Sequence, residues 1–296
     1  MKLIRGLYQI NKSFAVILNV GDNIWKYGLY ICPDIDTIFY GLSGQLDTAR
    51  GWGIKDDSFN FMDQIGKMRQ ENWFRIGDRD LVTHVLRTEL IRKGMTLTQV
   101  TDYFRSAYKI STNLLPVSDD SIETRIITTH GEMNIQEFWV KYGSAPHVVG
   151  VKYRGVKESR LSARTLRLIR ESERIIIAPA NPVSSIGPSI AVPGFKTELA
   201  KIKKKVIAIS PIIGKQAFSG PAGKYMSAMK LDVSPLGVAK YYCDVIGSFV
   251  ISKTDRSYEN DIKKLGINVY VEDISMKNFY QERRLASFIS ETIKKL

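Results

Sequence analysis

Short, uniformly apolar runs alternate with longer amphipathic ones along the chain. Residues 14–20 (FAVILNV), 174–178 (RIIIA), 205–210 (KVIAIS), 247–251 (GSFVI) and 267–272 (INVYVE) are rich in β-branched and apolar side chains. A strand with one wet face would alternate, so a continuous run predicts a parallel strand covered on both faces. Helical periodicity marks 2–10, 161–173, 194–204, 222–230, 236–244, 256–265 and 280–295. Residues 60–105 also read as mostly helical, including 79–93, whereas 121–153 alternate as strands do, in ETRIITT and IQEFWV. Strand–helix alternation of this kind predicts an α/β fold, with a three-layer, Rossmann-like, doubly wound and mostly parallel sheet. The expected division is a single domain, with a core of about 1–40 and 165–296 and an inserted helical and mixed subdomain of about 41–164.

Composition narrows the class. The chain has 296 residues, 44% hydrophobic and 25% charged, which suits a sizeable core and excludes global disorder. Two cysteines, Cys32 and Cys243, exclude a disulfide framework and a Cys-rich zinc site, and fit a reducing, cytoplasmic compartment. No apolar run reaches ~18 residues, so no membrane span is expected. The opening MKLIRGLYQINKS lacks the apolar centre of a signal peptide. His84, His130 and His147 show no metal-ligand spacing.

Charge raises one further possibility. Lysines and arginines exceed aspartates and glutamates by 43 − 30 = 13, which invites a nucleic-acid reading. The positive charge is not gathered into an arm, and its densest run, Lys201 to Lys205, suits a solvated helix end. No zinc-finger spacing or aromatic RNA-binding motif accompanies it. The balance points to an enzyme that takes anionic small molecules, with no nucleic-acid partner.

Ligands of open α/β sheets sit beyond the carboxyl ends of the strands. After 174–178 come Asn181, Pro182, Val183, Ser184, Ser185, Ile186 and Gly187; after 205–210 come Gly214, then Gly220, Pro221, Ala222, Gly223 and Lys224. Small residues let backbone approach a phosphate, and N–H groups at a helix start would bind it. Both loops are therefore candidate phosphate cradles, although neither has Walker spacing. Asp34 and Asp36, in Pro33-Asp34-Ile35-Asp36-Thr37, would share a face if extended, an arrangement that grips magnesium together with substrate phosphates. The alternative is a turn whose Asp or Thr caps the next helix. Asp80, in Gly77-Asp78-Arg79-Asp80, reads equally as a cap, with Arg79 paired to Asp78. Trp52 and Trp73 offer flat surface for a heterocycle or for packing.

Taken in order, PDIDT, GWG, WFRIGDRDLVTH, RTELIRKGMTLTQVT, LPVSDD, NPVSSIGP, AVPG, SPIIG, SGPAGK and GVAKYY resemble one family across essentially the whole chain: the phospholactate transferases of deazaflavin coenzyme biosynthesis, CofD in archaea and FbiA in actinobacteria. The resemblance implies transfer of a phospholactyl or phosphoenolpyruvyl group from lactyl- or enolpyruvyl-diphosphoguanosine to the deazaflavin alcohol Fo. The products would be coenzyme F-420-0 and GMP, and the reaction would require Mg2+. It implies Asp36 as the catalytic residue beside the reacting hydroxyl of Fo, with Asp34 and Asp36 as magnesium ligands and Arg75 and Arg79 on Fo or the developing charge. Asn181, Ser184, Ser185 and Gly187 would hold the diphosphate beside Ser210 and Gly214, and Gly220 and Gly223 the guanosine side. A homodimer is a further implication. Members of the family begin with a short strand and a Gly-rich turn ahead of the first helix; here that helix opens the chain, so this strand and loop are expected to be missing. The competing expectation is a nonenzymatic, nucleotide-sugar-binding regulator of the same superfamily, which would share the phosphate loops and not bind Fo.

Overall fold

The computed structural model describes residues 1–11, 13–68, 70–217 and 220–294. Helix α1 (Lys2–Ile10) leads into strand β1 (Ala15–Leu18). A hairpin of β2 (Ile24–Lys26) and β3 (Leu29–Ile31) follows, its turn made by Tyr27 and Gly28, both at positive φ as a two-residue type I′ turn requires. Four helices come next: α2 (Pro33–Leu42), α3 (Asn60–Lys67), α4 (Asp78–Arg92) and α5 (Leu97–Ala107). Strands β4 (Asn113–Pro116), β5 (Glu123–Thr128), β6 (Gly131–Asn134) and β7 (Val148–Arg154) precede α6 (Ala163–Glu171) and β8 (Ile175–Ile177). Beyond them lie α7 (Gly187–Ala191), α8 (Phe195–Lys201), β9 (Val206–Ile209) and a small hairpin of β10 (Ile212–Ile213) and β11 (Gln216–Ala217). The chain then runs through α9 (Ala222–Ala228), α10 (Pro235–Tyr242), β12 (Ser248–Ser252), α11 (Glu259–Lys263), β13 (Asn268–Glu272) and α12 (Phe279–Ile293).

The five apolar runs are all strands. Four of them form a parallel sheet in the order β13-β12-β9-β8, and β1 pairs in parallel with β4. Successive residues of the central strands feed opposite faces. Val206, Ala208, Phe249 and Ile251 join a core with Ile169, Leu199, Val238 and Ile262 of α6, α8, α10 and α11. Ile207, Ile209 and Val250 face Leu3 of α1 and Leu285, Ala286 and Ile289 of α12. This is a three-layer, Rossmann-like α/β arrangement, and each sealed side chain stabilises it by about 1.5–3 kcal/mol. β1 and β8 do not pair with each other, and their residues Ala15–Ile17 and Ile175–Ile176 are only half-buried. A separate antiparallel sheet, β6-β5-β7, occupies the alternating stretch, with Thr124, Ile126 and Thr128 turned inward. β4 lies within the stretch 41–164 and yet pairs with β1, so that stretch is woven into the core. No described helix is long and apolar enough to cross a membrane.

Helices α1 and α12 meet at Gly6, where any Cβ would overlap the carbonyl of Glu282. Beside that contact Arg5 pairs with Glu282 at 2.6 Å and lies over the Phe279 ring. Gly6→Ala is expected to force the helices apart and cost about 1–3 kcal/mol. The expected readout is a lower urea midpoint with an unchanged denaturant slope; an unchanged midpoint would contradict it.

Candidate functional site

Strand β1 leaves the sheet through Asn19, Val20, Gly21, Asp22 and Asn23. The Asn19 amide donates to Oδ2 of Asp34 at 2.9 Å and to the Ser184 carbonyl at 3.3 Å, so one side chain joins the ends of β1 and β8 to the start of α2. Its oxygen accepts from the Gly21 N–H. A Cβ on Gly21 would lie 2.6 Å from Pro188 and 2.8 Å from the Thr124 hydroxyl, so space alone excludes a side chain there. Asp22 is buried, with the Thr124 hydroxyl 3.4 Å from its carboxylate and the Gln136 amide donating to its carbonyl. Burial first, and then the charge of Asp34, raises the Asp22 carboxyl well above the usual range. Burial also raises Asp34, opposed by the Asn19 bond and the α-amino group of Met1. Among the described residues no lysine or arginine side chain pairs with either carboxylate.

Two neighbouring carboxylates without a cationic side chain are costly in a low-dielectric setting. A hard dication relieves that cost, and carboxylate oxygens are its preferred donors. No group of three or more His, Cys, Asp or Glu comes together among the described residues, so water and substrate phosphate oxygens would complete the shell of an ion held by Asp22 and Asp34. The donor set therefore fits magnesium.

The structure departs from the expected shared face of Asp34 and Asp36. Pro33 occupies the first turn of α2, so residues 33–42 are helical rather than extended, and no side chain caps that helix. Two residues along a helix diverge by about 200°. Asp34 turns to Asn19, while Asp36 turns inward, where Arg87 takes both of its oxygens, one through Nη1 at 3.0 Å and the other through Nη2. Arg87 is 1% exposed. Nδ1 of His84 lies 3.2 Å from Nη1 of Arg87, which can only donate, so Nδ1 accepts and Nε2 carries the hydrogen toward Asp80 at 3.1 Å. Asp80 also accepts from the Tyr40 hydroxyl. Burial pushes Asp80 upward, but His84 and the Tyr40 bond more than offset it and leave it lowered. Asp36 is thus a brace between α2 and α4, each of its oxygens accepting from Arg87. Helix α4 is inverted in consequence: Asp80, Thr83, His84, Arg87 and Thr88 are buried, whereas Val82 and Val85 are exposed. Its first turn is capped by Asp57, which accepts from the N–H groups of Arg79 and Asp80, and not by Asp80.

The first phosphate-loop candidate folds tightly. The Asn181 side chain accepts from the N–H groups of Val183 and Ser184, and its carbonyl from those of Ser185 and Ile186. Residues Pro182–Ile186 form one turn of π-helix that continues into α7, a distortion frequent at functional sites. The Tyr153 hydroxyl donates to the Val183 carbonyl and fills the space a Cβ on Gly187 would need. The backbone N–H groups expected to bind phosphate are therefore engaged within the turn. The Ser184 and Ser185 hydroxyls make no bond to the described residues and are not sealed from solvent, and they remain as donors.

The other candidates scatter. Ser210 is fully buried, its hydroxyl donating to the Ile212 carbonyl and accepting from the Ile212 N–H, so it shapes the turn rather than facing a ligand. Gly214 has φ +63° and donates its N–H to Asp255. Gly220 has φ +64° and lies against the Trp139 ring, Gly223 sits in α9 against Val233, and Ser219 lies outside the described residues. Arg75 pairs with Asp63 at 3.1 Å over the Phe59 ring, and Arg79 donates to the Lys55 carbonyl. No hydrogen bond or ion pair ties either arginine to Asp34 or the 181–188 loop among the described residues. Asn19, Asp22 and Arg87 were not singled out from the sequence; the available signal was an Asn and an Asp closely following an apolar strand. Burial pushes the Cys32 thiol up to about 12, which excludes it as a nucleophile.

Comparison with known proteins places the chain. The family model described as 2-phospho-L-lactate transferase CofD matches residues 1–279. A 2-phospho-L-lactate transferase of Methanosarcina mazei is 40% identical over 290 residues, 97% of this chain and 95% of the relative. One from Methanocaldococcus jannaschii is 34% identical over 296 residues, 98% and 94% of the two chains. A phosphoenolpyruvate transferase of Mycobacterium bovis is 33% identical over 237 residues, 78% and 72% of the two chains. A solved Bacillus halodurans protein of the UPF0052 family superposes with a TM-score of 0.65 at 14% identity, covering 99% of this chain and 94% of that one, and shares the fold. The chain is a transferase enzyme and belongs to the 2-phospho-L-lactate transferase family.

Proposed function

We propose that this transferase joins the phospholactyl group of lactyl-diphosphoguanosine to the deazaflavin alcohol Fo. The terminal hydroxyl oxygen of Fo forms a new bond to the phosphorus that carries the lactyl group. The bond from that phosphorus to the GMP oxygen breaks, GMP departs with the electron pair, and the hydroxyl proton passes to solvent water. The observation that carries this reading is the Asp22–Asp34 pair, which lacks a cationic side-chain partner among the described residues and is tied through Asn19 to the loop that carries the unbonded hydroxyls of Ser184 and Ser185. Phosphoryl transfer needs positioning and neutralisation more than covalent catalysis. Magnesium held by Asp22 and Asp34 would supply the neutralisation. Asn19 orients Asp34 and ties it to the 181–188 loop, Ser184 and Ser185 donate to phosphate oxygens, and Asp36 keeps α2 in place. A phosphoenolpyruvyl donor is the second reading, favoured by the mycobacterial relative; the methanogen relatives, covering more of the chain, favour lactate.

The test incubates the purified protein with Fo, magnesium and either donor, and follows products by chromatography and mass. The expected result is GMP in equal amount with a deazaflavin phosphodiester, faster with the lactyl donor. Chelation of magnesium should stop the reaction and its re-addition restore it. Nucleotide binding without Fo binding or product would overturn the reading in favour of a regulator.

A further inference from the structure

One buried carboxylate stands outside the machinery described so far. Asp255 follows the carboxyl end of β12, in a short 3-10 turn (Lys253–Tyr258) whose first residues are capped by Ser252. It is 2% exposed. Its Oδ1 accepts from the Gly214 N–H at 2.8 Å, at the turn of the β10–β11 hairpin. Its Oδ2 is buried and has no partner among the described residues. Among the described residues no lysine, arginine or histidine pairs with it, and burial raises its carboxyl, opposed by the Gly214 bond. A neutral side chain could hold Gly214 equally well. A charged group left half-satisfied in such a place costs stability and calls for a ligand.

Its position suggests which ligand. Asp255 lies at the carboxyl edge of the sheet, where open α/β folds bind, and β12 stands two strands from β8. Two strand spacings are about 10 Å, the scale on which a nucleotide reaches from its phosphates to its base. Among the described residues the β10–β11 hairpin pairs with no other strand, so its turn can shift to admit a base while Gly214 keeps its bond to Asp255. Guanine presents two adjacent donors, the ring N1–H and the exocyclic amino group, and a carboxylate is a pair of adjacent acceptors. Adenine offers an acceptor at N1 and would be opposed there.

We infer that Asp255 reads the guanine base of the donor nucleotide, accepting the amino group at the unpartnered oxygen and N1–H at the oxygen it shares with Gly214. The inference rests on the proposed diphosphate position at residues 181–188. A buried acceptor pair left empty by the wrong base is a strong source of discrimination.

The test is a calorimetric titration of GDP, IDP, ADP and xanthosine diphosphate, with magnesium, into the wild type and Asp255→Asn. Asparagine keeps an oxygen for the Gly214 N–H, so the hairpin anchor survives, and its amide can donate to the 2-oxo group of xanthine. The wild type is expected to prefer GDP over ADP and xanthosine diphosphate by about 100-fold, with IDP intermediate. Asp255→Asn is expected to invert the preference between GDP and xanthosine diphosphate. A merely structural Asp255 would leave that ratio unmoved, and an unmoved ratio overturns the inference. So does a wild type that binds the four nucleotides alike, a result independent of how the variant folds. A wild type that binds no nucleoside diphosphate would overturn the nucleotide site of the proposed function itself.

Discussion

Asp34→Asn is expected to lower turnover by about 100- to 1,000-fold, the usual loss when one fixed electrostatic group is removed from a transfer site, while the protein folds normally. Asparagine has nearly the same shape and still offers an oxygen to the Asn19 amide, so the junction between β1, α2 and the 181–188 loop persists. What disappears is one of two neighbouring charges, beside the buried Asp22. The like-charge cost on Asp22 falls with it, so the metal-free variant should melt no lower than wild type. Magnesium, in turn, should raise the melting temperature of the wild type and not that of the variant, because binding to the folded state alone stabilises it. Paired turnover and melting curves, with and without magnesium, check both halves. A variant that retains full activity would remove Asp34 from the site.

The second large effect concerns stability. Arg87→Met is expected to cost about 3–5 kcal/mol, the usual penalty for stranding one member of a buried ion pair. Asp36 would be left 4% exposed with no cation on its oxygens. Adding Asp36→Leu should recover much of the loss, because an apolar pair of similar volume needs no charge to be satisfied. The pH dependence has a definite sign. Burial raises Asp36 above its unfolded value even in the wild type, and Arg87 is the main opposing influence, so the single variant should have it raised further. The folded state then binds the proton more tightly, and the variant should lose more stability than wild type as pH rises above ~4. Urea midpoints at pH 4.5 and 7 for both proteins measure this. Equal penalties at the two pH values would mean that Asp36 does not carry the buried charge.

The sheet was largely legible in the sequence because burial on both faces leaves an unbroken apolar run, as at 206–209 and 248–252. The β2–β3 hairpin escaped notice: its turn is Tyr27-Gly28, and tyrosine at positive φ carries no turn signature. Asp36 misled for a geometric reason. Spacing two apart means one face in an extended chain and nearly opposite faces in a helix, and Pro33 at the first turn decided for the helix. Asn19 and Asp22 looked like ordinary turn formers closing a strand, and only the arrival of Asp34 and Ser184 from elsewhere makes them a site. The partner of Asp36 lies 51 residues away, a distance that local spacing does not report. Fold thus follows from repeated apolar burial, which every run displays by itself, whereas the site arises from single polar contacts between distant segments.

Helix α4 turns Asp80, Thr83, His84, Arg87 and Thr88 to the interior and its valines to water. Its tolerance of substitution should run against the usual expectation. Val82 and Val85 can drift to lysine or glutamine without cost, whereas exchanging Arg87 for lysine or His84 for glutamine breaks a bond that no neighbour replaces. A library that conserves every hydrophobic residue would freeze Val82 and Val85 needlessly in this helix, and one that randomises these outer valines would gain solubility while leaving the brace beneath intact.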